Sequence, residues 1–349
     1  MRSISFKTLT LPAFTLAAMM CAPVANAATC TPTGFVKDAI NLTAVLINPP
    51  GVVSGDVDAT GCNIGVYYSA GHGRVSQANV HGANYFGIVN NGADVDVLDS
   101  TVSDIGEKPF NGTQHGVAID YEGNARGDIQ RNFVWDYQKN GIVVKGPSAS
   151  ADIEQNYVVG FGPVNFIAQN GIEAGLGARA KIQQNFVSGN SYTGANLASS
   201  SGIILFGGGC YDGAPQTNTE VSQNVAVNND IGIALVNLDT GCGNPLSTPS
   251  KNSVTGNSLF NNALNNVTGN SATQGYQAGV LDIGNADVIK NNDICGPGYT
   301  PPGTAAIALF DIDVTFTNNP IVDNNTNCTA PRQHHEWDFD HNRHGHPHD

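Results

Sequence analysis

The chain has 349 residues, with 13% of them charged, 41 glycines and a formal net charge of −14. An acidic chain without a basic stripe has nothing to neutralise phosphates, which excludes nucleic acid as a partner. The same charge disfavours a polyanionic substrate unless a cation mediates, and the low charged fraction with many glycines suits β-structure rich in turns.

Residues 1–27 read as a secretory signal. Arg2 and Lys7 give a positive start, Leu9 to Met20 an apolar centre, and Ala25-Asn26-Ala27 a small-residue cleavage site. The segment is too short and interrupted to anchor in a bilayer, and no later run is apolar enough to span one. The expectation is a secreted protein, extracellular or periplasmic, without membrane insertion. Six cysteines follow the signal: Cys30, Cys62, Cys210, Cys242, Cys295 and Cys328. Taken in neighbouring pairs, each closes a loop of about one long turn, so the spacing predicts Cys30 with Cys62, Cys210 with Cys242 and Cys295 with Cys328.

Residues 28–52 are expected to cap the fold. Within them Thr33 to Ile47 carries Phe35, Val36, Ala39, Ile40 and Leu46 at mixed spacing, which predicts a short amphipathic helix, with a strand from Thr43 to Ile47 as the alternative. From residue 53 to residue 330 one unit recurs. An aliphatic residue is followed three positions later by asparagine in Ile129-Gln-Arg-Asn132, Ile153-Glu-Gln-Asn156, Ile182-Gln-Gln-Asn185 and Val221-Ser-Gln-Asn224, and Asn257 and Asn292 continue the series. An apolar residue comes two places after each Asn, then a Gly-aliphatic strand: Gly141-Ile-Val-Val, Gly171-Ile-Glu-Ala, Gly202-Ile-Ile-Leu and Gly232-Ile-Ala-Leu.

Units this short cannot bury their own apolar face, so stacked neighbours must complete the core. The pattern predicts an all-β, single-stranded right-handed parallel β-helix. Stacking puts the isoleucines in inward columns and the asparagines in a hydrogen-bonded ladder. Earlier coils place Asp56, Ala78 and Ser100 at the ladder position. Residues 331–349 break the repeat. Their histidines, His334, His335, His341, His344, His346 and His348, sit among acids and prolines in a composition that forms no core, and predict a disordered tail able to bind zinc, copper or nickel adventitiously.

Strand alternation then locates the chemistry. Aligning Gly116 with Gly141 and Gly171 turns His115, Asn140 and Asn170 outward, and beyond them Asp120, Lys145 and Glu173, with Tyr121 and Glu122 bordering. Flanking coils carry apolar residues in the same columns, such as Phe86, Ile231, Phe206 and Val236. A polar centre between apolar flanks is what an extended polysaccharide requires. For β-elimination or epimerisation of a uronate, Lys145 or His115 would be the base, Asn140 and Asn170 would hold the carboxylate, and Tyr121 would donate the proton. For hydrolysis, Asp120 and Glu173 would flank the glycosidic bond, two rungs or roughly 10 Å apart, closer to an inverting than a retaining spacing. Neither chemistry requires a cofactor, with a shared calcium ion at Asp120 as the alternative.

The Ile-x-x-Asn and Gly-Ile-x-Val units make the chain, from about Val53 to Asn325, similar to the right-handed parallel β-helix repeat superfamily of pectate lyases, alginate lyases, mannuronan epimerases and polygalacturonases. The epimerases' Asp-Pro-His motif and the arginine signatures of pectate lyases are absent, so the resemblance implies the fold and transfers no catalytic residue. The sequence reading is a polysaccharide lyase or glycoside hydrolase centred on His115, Asp120, Lys145 and Glu173. The rival is a non-catalytic glycan-binding, adhesion or structural surface protein, since members of the superfamily also serve as adhesins and tail spikes.

Overall fold

The computed structural model describes residues 29–194, 198–262, 277–299, 305–309 and 320–328. The expected signal segment and histidine-rich tail lie outside them.

One coil shows how the chain is laid down. Asn140–Lys145 forms a strand of the first sheet, Ser150–Glu154 and Tyr157–Val164 form two strands of the second, and Asn170–Gly175 returns to the first sheet one coil on. Each strand pairs in parallel with its counterpart: Asn140 with Asn170, Ile153 with Ile182, Val158 with Val187. Repetition builds, among the described residues, an eleven-stranded and an eighteen-stranded sheet. The product is an all-β parallel solenoid without an α-helix among those residues.

Its core consists of the predicted columns. Ile119, Ile142, Ile172, Ile203 and Ile233 stack inward from the first sheet, facing Ile129, Ile153 and Ile182 from the second, all with no exposed surface. Full burial of each such side chain contributes about 1.5–3 kcal/mol. Gly141 marks the bend that separates an outward residue from the inward one after it. A Cβ there would lie 2.5 Å from Val158 Cγ1 and 2.6 Å from the Gly171 carbonyl oxygen, so only glycine fits.

The asparagine ladder runs from Asn132 to Asn325, one rung further than the sequence pattern was followed. The Asn156 Oδ1 accepts from both the backbone N–H and the side-chain amide of Asn132, at 3.0 Å each. Asn156 donates in the same way to Asn185, and so on to Asn292 and Asn325. The second Nδ2 proton closes onto a backbone carbonyl, as from Asn156 to Ile129. These bonds satisfy a buried corner that would otherwise strand several polar groups, and they hold the preceding non-glycine residues Arg131, Gln155 and Gln184 at positive φ. Ala78 and Ser100 occupy the ladder position as expected, Ala78 N–H donating to Ser100 Oγ. Asp56 does not. The register shifts by one so that Gly55 faces Ala78 and Asp56 faces Asn79.

The three expected disulfides are present, with Cα separations of 5.4 Å for Cys30–Cys62, 4.8 Å for Cys210–Cys242 and 4.5 Å for Cys295–Cys328. Cys295 and Cys328 face each other in the strand register, so that bridge joins successive coils.

The amino-terminal cap is not the expected helix. Thr31–Lys37 (β1) and Ile40–Ile47 (β2) form an antiparallel hairpin, and β2 starts the parallel stack by pairing with Ile64–Tyr68. The alternative strand was nearer, but begins three residues earlier than expected. Asp38 and Ala39 both have positive φ, giving a tight turn whose backbone twist matches the strands. β1 places Phe35 against the outer face of the first sheet, stacked 5.7 Å from Tyr67 and tilted 6.1 Å from Phe86. Those rings with Leu42, Ile64, Val89, Val117 and Val143 form an apolar cluster outside the solenoid core.

Candidate active site

The first sheet's outer face changes character along its length. The column Ile64, Phe86, Val117 is apolar, becomes Asn140 and Asn170 on the next two coils, and passes through Ser201 to Ile231. In the adjacent column Tyr67 and Val89 precede Asp120, Val143 and Glu173, and Ile204 and Ala234 follow. The polar window therefore spans three coils between two apolar clusters, the second formed by Ile231, Ala234, Val236 and Leu281.

The strand entering this window is set two residues away from the alignment expected. Val117 faces Asn140 and Ile119 faces Ile142, so Ala118, not Gly116, takes the strand-glycine position. Gly116, with φ 91, belongs to the turn before the strand. Asp120 consequently faces Val143 and shares a column with Glu173, and Lys145 lies two residues past Val143 on the same face.

This register decides what each candidate touches. Lys145 Nζ lies 2.7 Å from Asp120 Oδ1 and 3.2 Å from Glu122 Oε2, and Lys37 from the hairpin reaches Glu122 at 3.0 Å. An ammonium thus occupies the place between two carboxylates that a calcium ion would otherwise share. Asn140 Nδ2 donates to Glu173 Oε2, and Asn170 Oδ1 accepts from the Ser201 N–H. Two acceptors in the window have no hydrogen-bond partner: Asp120 Oδ2 and Asn140 Oδ1.

The charges are set by burial against pairing. Burial pushes the Asp120 carboxyl up, opposed by Lys145. Burial also pushes Glu173 up, against the pull of Lys139 and Lys145. Burial works against the Lys145 charge as well, yet Asp120 and Glu122 together hold its pKa above that of an ordinary lysine. Lys139, whose Nζ donates to the Ala168 carbonyl at 2.9 Å, is lowered by burial, partly offset by Glu173. Burial raises Tyr211, with Glu173 adding to it.

Two expected site residues lie elsewhere. His115 precedes the turn glycine, stacks on Tyr85 with ring centroids 3.8 Å apart, and has Nε2 3.0 Å from Glu107 Oε1. The window does not include it. Tyr121 points into the core and donates from its hydroxyl to the Val95 carbonyl at 2.6 Å, so it cannot donate to a ligand on the outer face. Asp120, Lys145, Glu173, Asn140 and Asn170 are brought together. Lys37, Lys139 and Tyr211 belong to the same electrostatic neighbourhood and are not among the residues the sequence pattern singles out. Only Lys139 had a signal, its place directly before Asn140.

No protein-family model matches the chain, and no curated protein matches it. Among solved structures it is similar to the Dettilon tailspike protein, with 14% identity and a TM-score of 0.39 over 71% of this chain and 43% of that one. It is also similar to DFA-IIIase from Arthrobacter chlorophenolicus A6 in complex with GF2, with 12% identity and a TM-score of 0.37 over 82% of this chain and 68% of that one. The chain spans less than half the length of the tailspike. Likenesses this slight carry no chemistry from either protein to this chain.

Proposed function

We propose that the protein cleaves glycosidic bonds of an extracellular polysaccharide laid along the outer face of the first sheet, with Glu173 as the general acid. The observation that carries this reading is the single column holding Asp120 and Glu173 on either side of Val143. Two rungs separate their backbones by roughly 10 Å. Side chains leaning together from that distance leave room for a water between them, the inverting geometry. As the water attacks the anomeric carbon, Asp120 Oδ2, without a partner, takes one of its protons while Asn140 Oδ1 accepts a hydrogen bond from its other O–H, and the glycosidic bond breaks as Glu173 gives its proton to the departing oxygen. Burial raises Glu173, which favours the protonated form an acid needs.

Elimination is the weaker chemistry here. A lysine held in its charged form has no lone pair for the C5 proton, and His115 is engaged outside the window. One observation favours the non-catalytic reading instead: Asp120 has no exposed surface and is ion-paired with Lys145. Three disulfides support an oxidising, extracellular setting. We take the coils as right-handed, the hand nearly all parallel crossovers adopt.

The test is incubation of the full chain with neutral glycans, pectin and alginate. Reducing sugar without ultraviolet absorbance from unsaturated uronates, abolished in Glu173→Gln, upholds hydrolysis. Unsaturated products would replace it with elimination, and the absence of any product would leave the binding-protein reading.

A further inference from the structure

A second concave surface lies over the second sheet, past the turn that follows Lys145. A cavity of about 710 Å³ opens there, with Asp128, Asp152, Arg179 and Lys181 on its walls. Another of about 390 Å³ shares Pro147, Ser150 and Arg179 with it and continues past Arg126. Together they form one groove crossing successive coils. Asp128 faces Asp152 and Asp152 faces Lys181, while Ser150 faces Arg179, so the walls repeat at the rung spacing of about 4.8 Å.

What distinguishes the groove is that most of its charges are unspent. Elsewhere on this sheet Arg74 pairs with Asp96 at 2.9 Å and Arg131 with Asp99 at 2.7 Å, and of the groove's own charges Lys181 alone is paired, reaching Glu154 at 3.6 Å. Among the described residues, the side chains of Arg126, Asp128, Asp152 and Arg179 have neither an ion pair nor a hydrogen bond, though opposite charges line the same cavity. Carboxylates and guanidinium groups spaced so that they do not quench one another present bidentate acceptors and donors to hydroxyl-rich ligands. The field selects among these ligands. The walls carry both signs, Asp128 and Asp152 with Arg126 and Arg179, while Lys181 is turned to Glu154, so no field of one sign draws in a polyanion.

We propose that this groove is a second glycan site, separate from the first-sheet window, that binds a neutral linear oligosaccharide along the solenoid axis. Asp128 and Asp152 accept from sugar hydroxyls, and Arg126 and Arg179 donate to hydroxyl and ring oxygens. The proposal rests on the polysaccharide reading above and narrows its substrate class to uncharged glycans.

Calorimetry on the full chain tests it, with cello-, xylo- and manno-oligosaccharides as neutral probes and oligogalacturonate as the charged one. At least one neutral probe is expected to bind, oligogalacturonate is not, and Asp152→Asn and Arg179→Ala each weaken binding by about tenfold or more. Both residues are exposed, so the variants keep the fold, which circular dichroism checks. No neutral probe binding, equal affinity in the groove variants, or tighter binding of oligogalacturonate would each overturn the proposal. Glu173→Gln separates the two readings. Binding that survives in it while the wild type turns nothing over upholds the groove and sinks the proposed cleavage. Turnover with unchanged affinity in the groove variants does the reverse.

Discussion

Asp120 and Glu173 face outward from one column of the first sheet with only Val143 between them. They differ in access. Asp120 is sealed beneath Lys145, whereas Glu173 is only partly buried. Of the two, Glu173 is the one a glycosidic oxygen can reach.

Replacing Glu173 with glutamine therefore removes the acid and keeps the amide contact with Asn140. Turnover is expected to fall about 10²–10⁴-fold with little change in melting temperature. The pH dependence carries the same signature: activity needs the protonated carboxyl, so it declines as pH rises through the raised pKa, and the glutamine variant loses that limb. An initial-rate profile against pH for both proteins checks this.

Lys145→Met leaves Asp120 a fully buried carboxylate without its cation. Breaking one side of such a pair costs about 3–5 kcal/mol, measurable by denaturant unfolding. The double variant with Asp120→Asn is expected to recover most of the loss, because the uncompensated charge is gone. Equal instability of single and double variants would mean that packing of the lysine stem, not charge, holds this region.

The solenoid and its disulfides were legible because they follow from a one-dimensional rule: residues one coil apart touch. Asn156 and Asn185, or Cys295 and Cys328, needed only counting. The register entering the site did not follow. Gly116-Val117 imitates the Gly-Ile unit, but Gly116 serves its positive φ, while Ala118-Ile119 is the true equivalent. A signal existed, since Ala306-Ile307 holds the same strand position one coil beyond Gly279-Val280. The two-residue error misplaced His115, yet left Asp120, Lys145 and Glu173 on one face because a shift of two preserves the alternation, which also turns Tyr121 inward in either register. The hairpin was hidden for another reason. Its turn is Asp38-Ala39, with no glycine or asparagine to announce positive φ, so nothing in the string separated β1 from β2.

The ladder makes a prediction of its own. Asn185 accepts from Asn156 twice, at 2.9 and 3.0 Å, and donates to the Ile153 carbonyl and to Asn224. Asn185→Ala strands the Asn156 donors and the Ile153 carbonyl inside the corner. Unsatisfied buried groups bring the expected cost to about 3 kcal/mol, read as a lower denaturant midpoint. Hydrogen exchange should quicken first at Asn156, whose backbone N–H loses its acceptor.

A second buried carboxyl pair sets the expected pH dependence of stability. Asp282 takes the inward position that Leu205 and Leu235 hold on the preceding coils, and Asp287 lies beside it. Burial, then repulsion from Asp282, pushes the Asp287 carboxyl up to about 8, even though the Asn252 N–H and Ser250 hydroxyl bond to it. The unfolded chain releases this proton near the ordinary value of 3.8, whereas the folded chain keeps it. The stability this pair contributes is therefore complete below that value and is lost progressively as pH rises toward about 8. Unfolding free energies measured at intervals across this range should fall with rising pH in the wild type. Asp282→Asn removes the neighbouring charge, lets Asp287 ionise nearer its usual range and flattens the slope. An unchanged slope in that variant would assign the pH dependence to other carboxyls that burial raises in the same direction, Glu173 and Asp120 first among them.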